Sequence, residues 1–276
     1  MTTQIDAQEL KALIDQKAVH VIDGSWALDG SDMHALYTQE HIPGAVFFDI
    51  EAISDKSSGL PHMAPSPQMF AAAVGAMGIA AEDTVVVYDR QGLFSAARVW
   101  WTFRLMGHCD VRILRGGLPA WLDAGFSATA TATVVKSIVY TPVLRAEKII
   151  DLNGLRRVLG TETVVLDARP SARFAGVAPE PRSGLRNGHM PGSRSLPFAE
   201  LIRDGALKPA EDLRAILDAK GADGSGPVVT TCGSGVTAAI ISLALAELGR
   251  ESRLYDGSWA QWGQEGLDTP VVTGEE

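Results

Sequence analysis

Cysteine is scarce in this chain: 276 residues hold two, Cys109 and Cys232. One pair allows at most one bridge and contains no C-x-x-C, so neither a disulfide scaffold nor a cysteine-based metal site underlies the fold, and a reducing compartment, the cytoplasm, is the natural setting. A basic surplus is also missing. Lys and Arg number 24 against 33 Asp and Glu, a formal charge of -9, which argues against general binding to nucleic acid or to an anionic membrane surface. An anionic small molecule would need a local basic pocket. Long apolar runs are absent too. The longest, Val236 to Leu248, is interrupted by Thr237, Ser242 and Glu247 and is too short to span a bilayer. The opening MTTQIDAQELKALIDQK reads as an ordinary amphipathic helix, with neither the basic start nor the apolar centre of a secretory signal. Neither a metal nor an organic cofactor is implied.

What the chain does contain is enough apolar material for real cores, a hydrophobic fraction of 46%, and a length that predicts two domains. It is also written twice. Val21-Ile22-Asp23 answers to Val165-Leu166-Asp167, His41-Ile42-Pro43-Gly44 to His189-Met190-Pro191-Gly192, Asp89 to Cys232, and Gly117 with Trp121 to Gly257 with Trp262. Four landmarks in the same order, each displaced by roughly 140–150 residues, indicate a tandem duplication. In each half, short apolar strand candidates such as Val85–Tyr88 and Val228–Thr231 alternate with helical stretches such as Ala96–Met106 and Glu211–Lys220. Alternating order of this kind predicts an α/β fold in each half, a mostly parallel sheet with helices on both faces. The expected division is an N-terminal domain over residues 1–126, a polar, small-residue linker over 127–145, and a C-terminal domain over 146–276.

The stretch Val228 to Ala239, VVTTCGSGVTAA, runs from an apolar strand through a Gly-rich turn into a helix predicted from about Val236. Cys232 sits on the turn. Unpaired N–H groups and the positive end of a helix dipole favour negative charge there, so a thiol at this point ionises more readily and suits a nucleophile. The other reading keeps Cys232 as a small buried apolar residue and the glycines as mere turn formers. The duplication bears on the choice, because the equivalent loop of the first half carries Asp89 in place of the cysteine. One half keeps a nucleophile, and the silent half is expected to supply shape and a few groups to a site between the domains.

Taken together, the two HxPG motifs, the cysteine loop of the second half, and the segments HIPGAVFFDI, SDKSSGLPHM, ARF…EPR and YDGSWAQW resemble the rhodanese family of sulfurtransferases over essentially the whole chain. The loop CGSGVTA is similar to that of the members acting on 3-mercaptopyruvate. The resemblance implies tandem rhodanese-like domains and a persulfide-forming Cys232, with Gly233, Ser234, Gly235, Val236 and Thr237 lining the sulfur. It carries onto Arg173 and Arg182 the role of holding the substrate's carboxylate and carbonyl, a role suited to the forked guanidinium. Arg169 and Arg186 lie nearby without an assigned part. It also implies a relay of Ser234, His62 and an acid, which is Glu51 here where the family usually has aspartate; Asp49 is the neighbouring candidate. The expected partners are 3-mercaptopyruvate and a thiol acceptor such as thioredoxin, or cyanide in an assay.

Two alternatives stand beside this one. A thiosulfate sulfurtransferase typically places basic residues directly after the cysteine, where this chain has Gly233, Ser234 and Gly235. A non-enzymatic persulfide carrier would accept sulfur from a donor protein and turn over little free mercaptopyruvate. A cysteine phosphatase needs an arginine six positions after the cysteine, and that position is Ala238. His41 and His189 read as turn residues stabilising each domain, Trp100-Trp101 as core, and Cys109 as structural.

Overall fold

The computed structural model describes residues 3–274, which divide into two compact units. The first runs through Asp55 and takes Ala64–Arg145 and Arg203–Leu207; the second comprises Lys56–Met63, Ala146–Ile202 and the chain from Lys208 onward. Each unit holds one five-stranded sheet. In the first, β1 (Gln4–Ile5), β2 (His20–Asp23), β3 (Ala45–Phe47), β4 (Val85–Tyr88) and β5 (Val111–Leu114) lie in the order β1-β5-β4-β2-β3. In the second, β6 (Ile149–Ile150), β7 (Val164–Asp167), β8 (Ser193–Ser195), β11 (Val228–Thr231) and β12 (Arg253–Tyr255) lie in the order β6-β12-β11-β7-β8. Between them in sequence, β9 (Ile202–Arg203) and β10 (Ala206–Leu207) make a separate two-stranded sheet.

Every pairing in the two large sheets is parallel. The strand orders are the same permutation, so the duplication read from four landmarks is a duplication of topology. The central strands explain why the sheets are covered on both faces: all four residues of β4 and all four of β11 are buried, and their valine-rich, β-branched composition suits strands with no solvent face. Behind β11, the helix Ala238–Glu247 is buried at every residue from Ala238 to Leu245, which is why its sequence is apolar all round. The first core gathers Leu10, Val21, Val86, Tyr88 and Trp121; the second gathers Leu155, Val165, Val229, Tyr255 and Trp259. Both motif histidines brace turns. His41 hydrogen-bonds the Tyr37 carbonyl at 2.7 Å and stacks on its ring, and His189 does the same with Phe174, 2.9 Å from its carbonyl.

The segment expected as a linker, residues 127–145, lies along the first unit as an extended strap. Its N–H groups at Ile138, Val143 and Arg145 donate to the carbonyls of Gly75, Met106 and Leu105, and Tyr140 is buried, its hydroxyl 3.2 Å from His108 Nδ1. The approach is close enough to require glycine at position 75, where a Cβ would stand 2.5 Å from the Ile138 carbonyl. The sequence showed a polar, small-residue composition here and not these long-range hydrogen bonds. Residues 56–63 likewise belong with the second unit, although the expected boundary placed them in the first. Among the described residues no helix is long and apolar enough to cross a membrane.

The duplicated strand ends differ in one informative way. Asp167 closes β7 in a buried ion pair with Arg169, 2.7 Å away. Its counterpart Asp23 has Ser25 at the equivalent place, and Oδ1 accepts from the Ser25 N–H at 2.9 Å. Burial pushes the Asp23 carboxyl above its ordinary range, with the Ser25 contacts pulling the other way. A carboxyl whose folded pKa is raised stabilises the protein below the unfolded value and loses that contribution as pH rises through the folded one. Asp23→Asn keeps the Ser25 contact and removes the charge, so thermal unfolding should find the variant about 1–2 kcal/mol more stable at neutral pH and nearly equal to the parent near about pH 4. A stability difference independent of pH would refute this reading of Asp23.

Candidate active site

Cys232 follows directly on β11, the middle strand of its sheet, and is 2% exposed. Ligand sites of parallel sheets form beyond the carboxyl ends of the strands, where turns lead into helices. The Cys232 Sγ accepts the Gly235 N–H at 3.1 Å. Gly235 has φ of +81°, the left-handed region open to glycine without strain. Other contacts anchor the turn from below: the Cys232 N–H donates to Ser258 Oγ at 3.2 Å, while the Cys232 and Gly233 carbonyls accept from the Trp259 and Ala260 N–H groups at 2.9 and 2.8 Å. The helix begins at Ala238, two residues later than predicted, and Thr237 makes no side-chain capping bond. Val236 and Thr237 therefore belong to the turn. Helix-start N–H groups without intrahelical acceptors favour negative charge beside them.

Ser234, in the same turn, has its Oγ 2.9 Å from His62 Nδ1. Both side chains are buried, at 6% and 2% exposure, and His62 takes an uncommon positive φ of 58°. His62 comes from the N-terminal half of the sequence, yet its segment is part of the second unit. The Ser–His pair is thus complete within one unit, whereas the expectation drawn from the repeat was a group contributed by the silent domain. Glu51 belongs to the first unit, where its Oε1 accepts from the Trp26 indole at 3.0 Å. Asp49 commits Oδ1 to the N–H groups of Glu51 and Ala52 at 2.9 and 3.0 Å, the ordinary work of an aspartate capping its own turn.

The arginines come from the loop after β7. Arg173 lies on the short helix Ser171–Phe174, and its Nη2 stands 3.1 Å from where a Cβ on Gly233 would be, so a guanidinium flanks the residue after the cysteine. The same Nη2 is hydrogen-bonded to Glu180. Glu180 also accepts from Arg169 Nη1 at 2.7 Å, and Arg169 is itself paired with Asp167 and lies 4.1 Å over the Trp259 ring. Arg169 is therefore a buried support, 1% exposed. Arg186 is structural as well, donating to the carbonyls of Trp262 and Thr269 at 2.9 and 2.8 Å. Arg182 is half-buried, two residues beyond Glu180.

A profile of the Rhodanese-like domain matches the chain twice, over residues 6–124 and 152–265. The chain belongs to the rhodanese family. It is 40% identical over 272 residues to the 3-mercaptopyruvate sulfurtransferase of Escherichia coli strain K12, spanning 97% of this chain and 96% of that protein. It is 37% identical over 280 residues to the human protein of the same name, spanning 99% and 94%. Among solved structures it is similar to SseA from Escherichia coli, described with the catalytic mechanism of 3-mercaptopyruvate sulfotransferases, with a TM-score of 0.86, 38% identity, and coverage of 94% of this chain and 99% of that one.

The first rhodanese domain shows what its version of the loop holds. Asp89, at the place of Cys232, accepts the Gln91 N–H on Oδ1 at 3.0 Å and the Phe94 and Ala96 N–H groups on Oδ2 at 2.7 and 2.9 Å. Burial raises the Asp89 carboxyl above its usual range, while these amides pull it back. In both domains the turn after the central strand directs backbone amides at a buried side chain, three at the two oxygens of the Asp89 carboxylate in one and that of Gly235 at the Cys232 sulfur in the other.

Two residues of the site were missed in the sequence. Glu180 lies between the two highlighted arginines, two residues before Arg182, where an acid among bases was a visible signal; Ser258, in the DGSW segment, carried none beyond its place in the repeat. Gly235→Ala places a Cβ at a left-handed position, at a cost of about 1–2 kcal/mol, and shifts the amide that faces sulfur. Alkylation of Cys232 by iodoacetamide at neutral pH should then slow at least about tenfold, the scale seen when one preorganised donor is lost. An unchanged alkylation rate would remove this amide from the site.

Proposed function

We propose that the chain takes the sulfur of 3-mercaptopyruvate onto Cys232 as a persulfide, releases pyruvate, and passes the sulfur to a thiol acceptor. The observation that carries this reading is the Cys232 Sγ, held by the Gly235 amide in a turn without charged residues, with the Arg173 guanidinium beside Gly233. The chain is a sulfurtransferase, and its full-length likeness to 3-mercaptopyruvate sulfurtransferases from bacteria to human supports the same donor here.

In the first step the Cys232 thiolate attacks the substrate sulfur. An S–S bond forms, the C–S bond breaks, and its electron pair stays on carbon as the enolate of pyruvate, which takes up a proton to give pyruvate. This is covalent catalysis of ping-pong type. Arg173 and Arg182 bind the carboxylate and carbonyl. The Ser234 hydroxyl, accepting a hydrogen bond from His62 Nδ1, donates its proton toward the substrate carbonyl, where charge develops; this is electrostatic stabilisation of the same kind as an oxyanion hole. The turn from Gly233 to Thr237 stabilises the anionic outer sulfur. In the second step an acceptor thiolate, on a small reductant or on thioredoxin in a reducing cytoplasm, attacks that outer sulfur and returns Cys232 as its thiolate.

A turn without cations is poorly matched to doubly charged thiosulfate, because charge brought into a partly desolvated site needs partners. Intact mass spectrometry after incubation with mercaptopyruvate should show one added sulfur, pyruvate should appear in solution, and both should vanish in Cys232→Ser. A mass gain that survives this substitution would falsify the assignment. Strong preference for thiosulfate in a side-by-side assay would replace the donor.

A further inference from the structure

Glu180 is a buried carboxylate, its side chain 2% exposed, and it lies between two guanidinium groups. Oε1 accepts from Arg169 Nη1 at 2.7 Å, and Oε2 accepts from Arg173 Nη2. On one side it rests on a rigid base. Arg169 donates through Nε and Nη2 to Asp167 at the end of β7, through Nη2 to the Gly188 carbonyl at 2.9 Å, and stacks over Trp259, the residue whose N–H binds the Cys232 carbonyl. On the other side stands Arg173, 17% exposed, with Nε buried and without a partner among the described residues. Neither Asp167 nor Glu180 reaches that donor, and Nη2 borders Gly233.

We infer that Glu180 is the positioning residue for substrate recognition: it fixes Arg173 through Nη2 so that the remaining donors of the guanidinium are presented to the planar carboxylate end of the α-keto acid. This rests on the reading of the previous subsection. An arginine loses about 2 kcal/mol of side-chain freedom when ordered, and a carboxylate that orders it before the substrate arrives removes that cost from binding. The opposite effect is physically available. A carboxylate on Arg173 also neutralises it and competes with the substrate, and removal of a pure competitor would tighten binding. The sign of the change distinguishes the two.

Steady-state kinetics of Glu180→Gln, which keeps the shape and removes the charge, decide it. The KM for mercaptopyruvate should rise about tenfold with kcat and the KM for the acceptor within about twofold of the parent, the pattern of lost binding common to ground and transition states. Glu180→Asp should recover part of the loss. In an Arg173→Gln background the same substitution should change nothing further. KM does not depend on the fraction of enzyme folded, so partial unfolding cannot imitate the result, and Glu180→Asp serves alone if Glu180→Gln does not fold. Calorimetry with pyruvate supplies a readout free of turnover, and its Kd should rise by the same factor. A KM or Kd that falls or stays constant overturns the positioning role. Absence of pyruvate release by the parent enzyme would instead overturn the donor assignment, leaving the pyruvate titration to decide Glu180.

Discussion

The structure depends on a single constraint: backbone N–H groups at the end of a buried parallel strand must find an acceptor that the next helix cannot provide. Water is excluded at that depth and an unpaired buried donor is costly, so the turn must enclose something able to accept. In one domain it encloses the Asp89 carboxylate, bound by three amides. In the other it encloses the Cys232 sulfur, bound by the Gly235 amide. A sulfur and a carboxylate are alternative answers to the same steric and electrostatic demand.

The charged groups near the cysteine follow from the same low-dielectric setting. Asp167, Arg169, Glu180 and Arg173 alternate in sign and share hydrogen bonds, the arrangement in which buried charges are tolerated. The chain of contacts starts on the end of β7, the strand beside β11, and finishes at Gly233. Strand, Arg169, Glu180 and Arg173 are thereby one connected unit, and the segment that carries Arg173 borrows its order from the sheet.

The repeat, the parallel sheets and the loop position of Cys232 were legible in the sequence because each rests on a local pattern. Val228–Thr231 is a run of β-branched residues, Gly233 and Gly235 mark a turn, and Asp89 stands in the same turn of the first half in place of the cysteine. The helix start fell two residues late because Val236 and Thr237 are apolar or β-branched residues that pattern alone does not separate from a first helical turn. The strap over residues 127–145 was not legible in full, since its order comes from hydrogen bonds to residues far away in the chain, such as Gly75 and Met106.

The sequence by itself determined which turn presents a cysteine at the end of a central strand, because Cys232 stands between a β-branched run and an apolar helix. Tertiary structure alone decided which partners surround it. His62 joins Ser234 across 172 positions of sequence, in a segment that belongs by number to one half and by packing to the other. Glu180, visible in the sequence only as an acid among loop arginines, is buried because Arg169 and Arg173 converge on it. Pairings of this kind depend on where the chain returns in space, and a local pattern carries no information about that.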